Sequence, residues 1–133
     1  MTLREYLDRN EGKSILSSAN TEGMVTLAIY SKPHVFDDGT IAFVMRERLT
    51  HENLKSNPYA SYMFIEEGYG YKGIRLFMKK IKEDTDNELI QKMKRRHLTL
   101  EEDKAKGPKF LVHFRVDKML PLIGEGDAGI AVR

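Results

Sequence analysis

Cysteine is absent from this sequence of 133 residues. Its absence excludes disulfide bonds, zinc sites built on thiolates and cysteine nucleophiles. No apolar run approaches the roughly 18–20 residues that a membrane-spanning helix needs. The charged N-terminus also lacks the apolar segment of a signal peptide. Together these absences predict a cytoplasmic protein that does not enter the membrane.

The charge balance is nearly even, with a formal net charge of +2. This is too small to indicate a nucleic-acid partner by itself. Hydrophobic residues make up 41% of the chain and charged residues 32%, which is typical of a globular protein. At this length we expect one domain spanning residues 1–133. A basic run at residues 92–96 is interpreted as the solvated end of a helix, although phosphate binding there stays open.

Alternating apolar residues, separated by turn residues, predict a mainly β fold. The loop between the second and third strands is too short for a crossover helix, so a parallel α/β fold is not expected. Antiparallel pairing into a closed or nearly closed barrel would remove exposed sheet edges. The six predicted strands are residues 14–19, 24–31, 40–45, 59–66, 74–79 and 110–116.

Short helices and a flexible tail complete the predicted organisation. Thr2 and Glu5 have the spacing of a capping box, in which each side chain satisfies a free amide of the other residue. Thr85 and Glu88 repeat this spacing before a second helix. The glycine-rich residues 124–129 are expected to be flexible by composition.

The segment 46–58 is the most informative part of the sequence. Thr50 is predicted to be the N-cap of a short helix with Asn53 at its third position, and Pro58 ends the segment. Leu49 and Leu54 are predicted to form a hydrophobic staple across the helix start. Such a start points unpaired amides at whatever lies beyond it.

Two guanidinium groups precede this helix, at Arg46 and Arg48. Amides, a hydroxyl and two guanidinium groups form a suitable site for a phosphate. The alternative is that Thr50 only caps the helix while the arginines pair with Glu47 or Glu52. The spacing alone favours neither interpretation.

Three segments are distinctive in combination: AIYSKP at residues 28–33, DGTIAFVMR at 38–46 and LKSNPYA at 54–60. Together they resemble the pyridoxamine 5′-phosphate oxidase-like FMN-binding split-barrel family. Their order matches the family's strand, glycine-led hairpin, basic hydroxyl-rich loop, short helix and Asn-Pro step. The resemblance covers roughly residues 13–82. It implies a six-stranded antiparallel Greek-key split barrel with short peripheral helices, which binds FMN at a homodimer interface.

The resemblance also implies the cofactor-binding residues, whereas it leaves the catalytic residues unknown. Many family members have a Ser-Arg-Lys-like run in the phosphate loop, where this chain has Arg48-Leu49-Thr50; Arg46 and Arg48 would then supply the charge. The C-terminal Arg-and-His substrate segment of true pyridoxamine phosphate oxidases is missing, so vitamin B6 oxidation is not expected. The implied FMN contacts are Tyr30, Ser31, Lys32, Val44, Met45, Arg46, Arg48, Leu49, Thr50 and Lys72.

The predicted function is therefore an FMN-dependent oxidoreductase acting on a small-molecule redox substrate that the sequence does not identify. A non-catalytic flavin or electron carrier remains open, as does a deazaflavin instead of FMN. A barrel that binds a nucleic acid or another phosphate ligand is a third hypothesis, which the separated basic residues disfavour. The four histidines are scattered, so no metal site is expected, and His113 is predicted to face outward. His34 lies nearest the proposed ring site, although a structural role is favoured for it.

Overall fold

The protein, in a computed structural model, consists of one antiparallel sheet with short helices packed against it. The structure describes residues 1–85, 88, 90 and 108–133. The elements are α1 (Leu3–Arg9), β1 (Gly12–Ala19), β2 (Val25–Tyr30), β3 (His34–Val35), β4 (Ile41–Arg46), α2 (Leu49–Ser56), β5 (Tyr59–Glu66), β6 (Gly73–Asp84) and β7 (Lys109–Pro121).

Seven strands pair in the order β2-β1-β5-β6-β7-β4-β3. The curled sheet surrounds a core that every long strand except β2 supplies with buried side chains. The split-barrel prediction is confirmed, with seven strands rather than six. The additional strand, β3, has only two residues and directly follows Pro33, so the sequence shows no alternating pattern that would identify it.

Two strands are longer than their sequence patterns predict. β6 continues to Asp84 and β7 continues to Pro121. Register shifts between Phe77 and Met78 and between Lys80 and Lys82 interrupt the ladder that joins them. A bulge changes which face a side chain occupies, so strict alternation ends before the strand does.

The capping box at the start of α1 is confirmed. Thr2 Oγ1 accepts a hydrogen bond from the Glu5 amide at 3.3 Å, and Glu5 Oε1 accepts one from the Thr2 amide at 3.2 Å. Leu3, Tyr6 and Leu7 are then buried on one helix face. This spacing places α1 against the barrel core.

The last residues of the chain, which follow the glycine-rich stretch 124–129, are held against the N-terminus. The Leu3 amide donates to the Ala131 carbonyl at 2.7 Å, and the Ala131 amide donates to the Met1 carbonyl at 3.0 Å. Ala128 and Ile130 also pack against the core. Backbone pairing with the N-terminus therefore fixes the residues that follow the glycine-rich stretch.

The second predicted helix falls mostly outside the described residues. Glu88 and Ile90 are helical, and Ile90 is buried against Ala42 and Leu111. The basic run at residues 92–96 lies outside the described residues. Within the part that the structure covers, no helix is both long and apolar enough to cross a bilayer.

Candidate functional site

The helix α2 begins two residues earlier than the sequence predicts. Its N-cap is Arg48, whose extended backbone (φ −133°, ψ −176°) leads into the helix and whose carbonyl accepts from the Glu52 amide at 2.9 Å. The predicted Thr50 cap is therefore wrong. The expected staple is also absent, because Leu49 is 58% exposed whereas Leu54 is buried. The third helical position is His51 rather than Asn53.

The first turn of α2 leaves its leading amides free of intrahelical partners. These are the amides of Leu49, Thr50 and His51, since the first intrahelical bond comes from Glu52. The side chain of the N-cap residue, Arg48, does not cap them. A helix start with these donors favours the binding of an anion.

Tyr30, Arg48 and Thr50 come together at this helix start. Thr50 is buried, and its hydroxyl and the Arg48 guanidinium both lie close enough to the Tyr30 phenol to influence its pKa. Burial raises the pKa of Tyr30, while Thr50 and Arg48 oppose that rise. The Tyr30 ring packs edge-on against Phe43 at 6.0 Å, which fixes its position.

The alternative in which Glu47 or Glu52 forms an ion pair with the arginines does not apply to Arg48. Glu52 instead pairs with Lys55 at 3.1 Å on the outer face of α2. Arg48 is exposed, and no carboxylate pairs with it among the described residues. Its guanidinium is thus available to a ligand at the helix start.

His51 and Glu83 are two residues of this region that the sequence analysis does not identify. His51 is 2% exposed, its Nε2 donates to Glu83 Oε1 at 2.9 Å, and its ring stacks on Phe110 at 4.0 Å. Its Nδ1 is buried without a hydrogen-bond partner in the part of the chain that the structure describes. Glu83 lies on the part of β6 beyond the predicted strand end, so no sequence signal connects the two.

The remaining predicted contacts are more dispersed. Lys32 Nζ donates to the carbonyls of Leu7 at 2.8 Å and Asn10 at 3.0 Å, so it ties the loop after β2 to the end of α1. Ser31 is exposed beside it. Met45 is buried in the core, while Val44 packs on the opposite face of β4. Met45 can therefore reach a ligand only through its backbone.

Lys72 lies apart from the helix start. It is exposed in the loop between β5 and β6, where its carbonyl accepts from the Glu66 amide at 2.9 Å. Among the described residues, no hydrogen bond or ion pair joins Lys72 to Tyr30, Arg48 or Thr50. The structure thus brings together only part of the predicted set.

A shallow open depression of about 330 Å³ lies elsewhere on the sheet. Ser17, Val25, Tyr59, Phe77 and Asp117 are among the residues that line it, and none of the predicted cofactor contacts does. It adjoins the exposed face of β2, which carries a row of three aliphatic side chains. Val25, Leu27 and Ile29 in this row are 67%, 73% and 75% exposed. This part of the molecule is an apolar surface rather than an anion site.

His113 lies on the face of β7 opposite Val112 and Phe114, as the alternation predicts, but it is buried there instead of facing solvent. Its Nε2 donates to Asp84 Oδ2 at 2.8 Å, and its ring stacks on Phe36 at 5.3 Å. Burial lowers the pKa of His113, although the hydrogen bond to Asp84 opposes the shift. His34 contacts the edge of the same Phe36 ring at 4.6 Å. In the described residues, no three potential metal ligands cluster.

Solved structures show what this fold is similar to. An FMN-binding protein from Syntrophomonas wolfei subsp. wolfei matches with a TM-score of 0.73 and 22% identity, over 92% of this chain and 85% of that one. An F420 reductase matches with a TM-score of 0.71 and 15% identity, over 90% and 97%. A Lactobacillus delbrueckii protein provisionally assigned as a pyridoxamine 5′-phosphate oxidase matches with a TM-score of 0.63 and 12% identity, over 90% and 93%.

These likenesses define the fold as that of the pyridoxamine 5′-phosphate oxidase-like split barrels. The sequence matches no protein-family model and no curated protein at a significant level. Since the identities are low, the likeness extends to the architecture, and the chemistry has to be argued from this chain's own residues.

Proposed function

We propose that this protein binds FMN through the phosphate group at the start of α2 and acts as a flavin-dependent oxidoreductase. The observation that carries the proposal is the meeting of Tyr30, Arg48 and Thr50 at a helix start with free amides. The FMN-binding protein that shares this fold supports the choice of ligand.

The donors at this helix start suit a phosphate dianion. The amides of the first turn supply aligned N–H groups, the Arg48 guanidinium supplies charge, and the Thr50 hydroxyl can donate. A hydrogen bond to a charged group contributes about 1.5–3 kcal/mol, so a few of them can anchor the ligand.

The remaining predicted contacts would orient the rest of the cofactor. Tyr30 and Ser31 would lie along the ring or the ribityl chain, and Val44 and Met45 would present backbone groups of β4. Lys72 would offer a polar group to the ring. When bound, the flavin supplies the redox chemistry, so the protein need only bind it, orient it and adjust its electrostatics. This division is consistent with a site that requires no acid–base pair.

We further propose that the protein is a homodimer whose interface covers the exposed face of β2. This strand is at the edge of the sheet, and Val25, Leu27 and Ile29 are all more exposed than buried. An uncovered edge with an apolar row promotes unwanted strand pairing. A second copy of the chain would bury this row, as the family resemblance implies. The cytoplasmic location stays a prediction.

A titration of the purified protein tests the proposal. Protein from a flavin-replete host should be yellow, or should take up added FMN with quenching of flavin fluorescence. A colourless protein that fails to bind added FMN contradicts the proposal. Parallel titration with a deazaflavin distinguishes the two cofactors, and steady-state reduction with NAD(P)H distinguishes an enzyme from an electron carrier.

A further inference from the structure

Polar contacts hold α2 on the sheet. Its buried residues are Thr50, His51, Asn53 and Leu54, of which only Leu54 is apolar. Hydrophobic packing is non-directional, whereas hydrogen bonds depend on both distance and angle. The orientation of this helix is therefore set largely by its polar partners.

Each end of α2 has a different polar anchor. Asn57, at the C-cap, donates from Nδ2 to the Asn20 carbonyl at 3.3 Å. In the middle of the helix, Asn53 Nδ2 donates to Ser18 Oγ at 3.1 Å. In the first turn, the side chain that reaches across to the sheet ladder at β6 is His51. It therefore ties the turn that presents the free amides to β6, while Thr50 of the same turn lies near Tyr30 of β2.

The negative charge of Glu83, the partner of His51, is offset by a neighbouring lysine. An ionised carboxylate only accepts hydrogen bonds, so the Nε2 of His51 is the donor to Glu83. Lys80 Nζ lies 3.3 Å from the same carboxylate oxygen and 3.5 Å from the Leu54 carbonyl of α2. An unopposed carboxylate beside α2 would repel an anion at the helix start, and Lys80 reduces that repulsion.

We propose that His51 is a positioning residue for the phosphate site. Its bond to Glu83 and its stack on Phe110 fix the direction of the first-turn amides, which Arg48 and Thr50 flank. This inference rests on the proposed function. The phosphate contacts themselves come from the amides, and His51 acts through them.

Comparison of FMN with riboflavin, which lacks the phosphate, isolates this role. His51→Phe keeps the ring that stacks on Phe110 but loses the donor to Glu83. It should lower FMN affinity about tenfold while leaving riboflavin affinity within twofold. His51→Gln restores an N–H donor and should recover most of the loss. Glu83→Asp keeps the negative charge beside Lys80 but shortens the side chain, so it should lose the bond to His51 and show the same selective loss.

Asn57→Ala is the matched control, because it removes a polar anchor from the other end of α2. It should reduce stability without changing the ratio of FMN to riboflavin affinity. If His51→Phe and Glu83→Asp keep the wild-type ratio, or if both ligands weaken equally, the positioning role is wrong. If the wild-type protein itself binds FMN no more tightly than riboflavin, the proposed phosphate site is wrong as well.

Discussion

Glu83 and Asp84 are adjacent carboxylates on β6, and each binds a different buried histidine. Glu83 accepts from His51 at 2.9 Å, and Asp84 accepts from His113 at 2.8 Å. Neighbouring residues of a strand point to opposite faces, so one carboxylate ties β6 to α2 and the other ties it to β7. The C-terminal end of β6 therefore holds both the start of α2 and the neighbouring strand β7 in place.

The His113–Asp84 pair predicts how stability depends on pH. Burial lowers the pKa of His113 in the folded protein, so the unfolded chain binds this proton more readily. The stability that the neutral His113 imidazole contributes is present above its pKa in the unfolded chain, about 6.5. It is lost as the pH falls through the lower pKa that His113 has in the folded protein. We expect the free energy of unfolding of the wild type to fall more steeply below about pH 6.5 than that of His113→Gln.

His113→Gln is a suitable comparison because it can donate to Asp84 but does not titrate. Urea unfolding of both proteins between about pH 5 and 8 measures the difference, and the other titrating groups cancel in it. Parallel curves for the two proteins would show that the folded and unfolded states hold the His113 proton equally.

The phosphate site predicts that Arg48→Ala and Thr50→Val each weaken FMN binding by about tenfold or more, because each loses a charged hydrogen bond. Both variants should fold, since Arg48 is exposed and valine matches the shape of threonine. Fluorescence titration of FMN measures the affinities, and thermal unfolding checks the fold.

Lys55→Ala is the matched control for charge on α2. Lys55 is also exposed and basic, but it lies in the last turn and pairs with Glu52. Its removal should change FMN affinity less than twofold. Unchanged affinity in both site variants would locate the phosphate elsewhere, even with the barrel intact.

The exposed row of β2 predicts that Leu27→Lys disrupts a dimer. Leu27 is 73% exposed and lies between Val25 and Ile29 on the same face, so a charge there would be buried in any interface that covers the row. Light scattering after gel filtration should give the dimer mass for the wild type and the monomer mass for the variant. Asp8→Lys, which adds positive charge on exposed α1, should leave the mass unchanged.

The fold was accessible from the sequence because its strands are amphipathic and its turns are marked. The capping box of Thr2 and Glu5 and the strand at Tyr59–Glu66 have clear local signals. β2 departs from the simple rule, because its larger aliphatic side chains face outward. Alternation gives the period of a strand but not which face meets the core, and in β2 the aliphatic face is the exposed one.

The site was only partly accessible, since long-range contacts create it. The run at residues 46–50 indicated an anion site, but the actual N-cap depends on how β4 leads into α2. Tyr30 joins Thr50 through the folded barrel, and His51 finds Glu83 at a sequence separation of 32 residues. No local pattern encodes such pairs, so the two buried histidines could not be assigned from spacing alone.

The docked tail predicts a difference between two glycines in similar turns. Gly39 (φ +87°) and Gly23 (φ +83°) both have left-handed backbones, so alanine at either position costs roughly 1–2 kcal/mol. A Cβ at Gly39 would also lie 2.9 Å from Val132 Cγ1 in the tail, whereas nothing lies within 4 Å at Gly23. Gly39→Ala should therefore destabilise the protein more than Gly23→Ala, as measured by urea unfolding.

A second substitution identifies the source of the extra loss. Val132→Ala removes the methyl group that a Cβ at Gly39 would meet, so the double variant Gly39→Ala/Val132→Ala should be more stable than the sum of the single effects implies. Coupling of this sign means that the tail presses on the turn before β4 in solution. Equal costs at the two glycines, together with additive effects of the pair, would mean that the tail leaves this turn free.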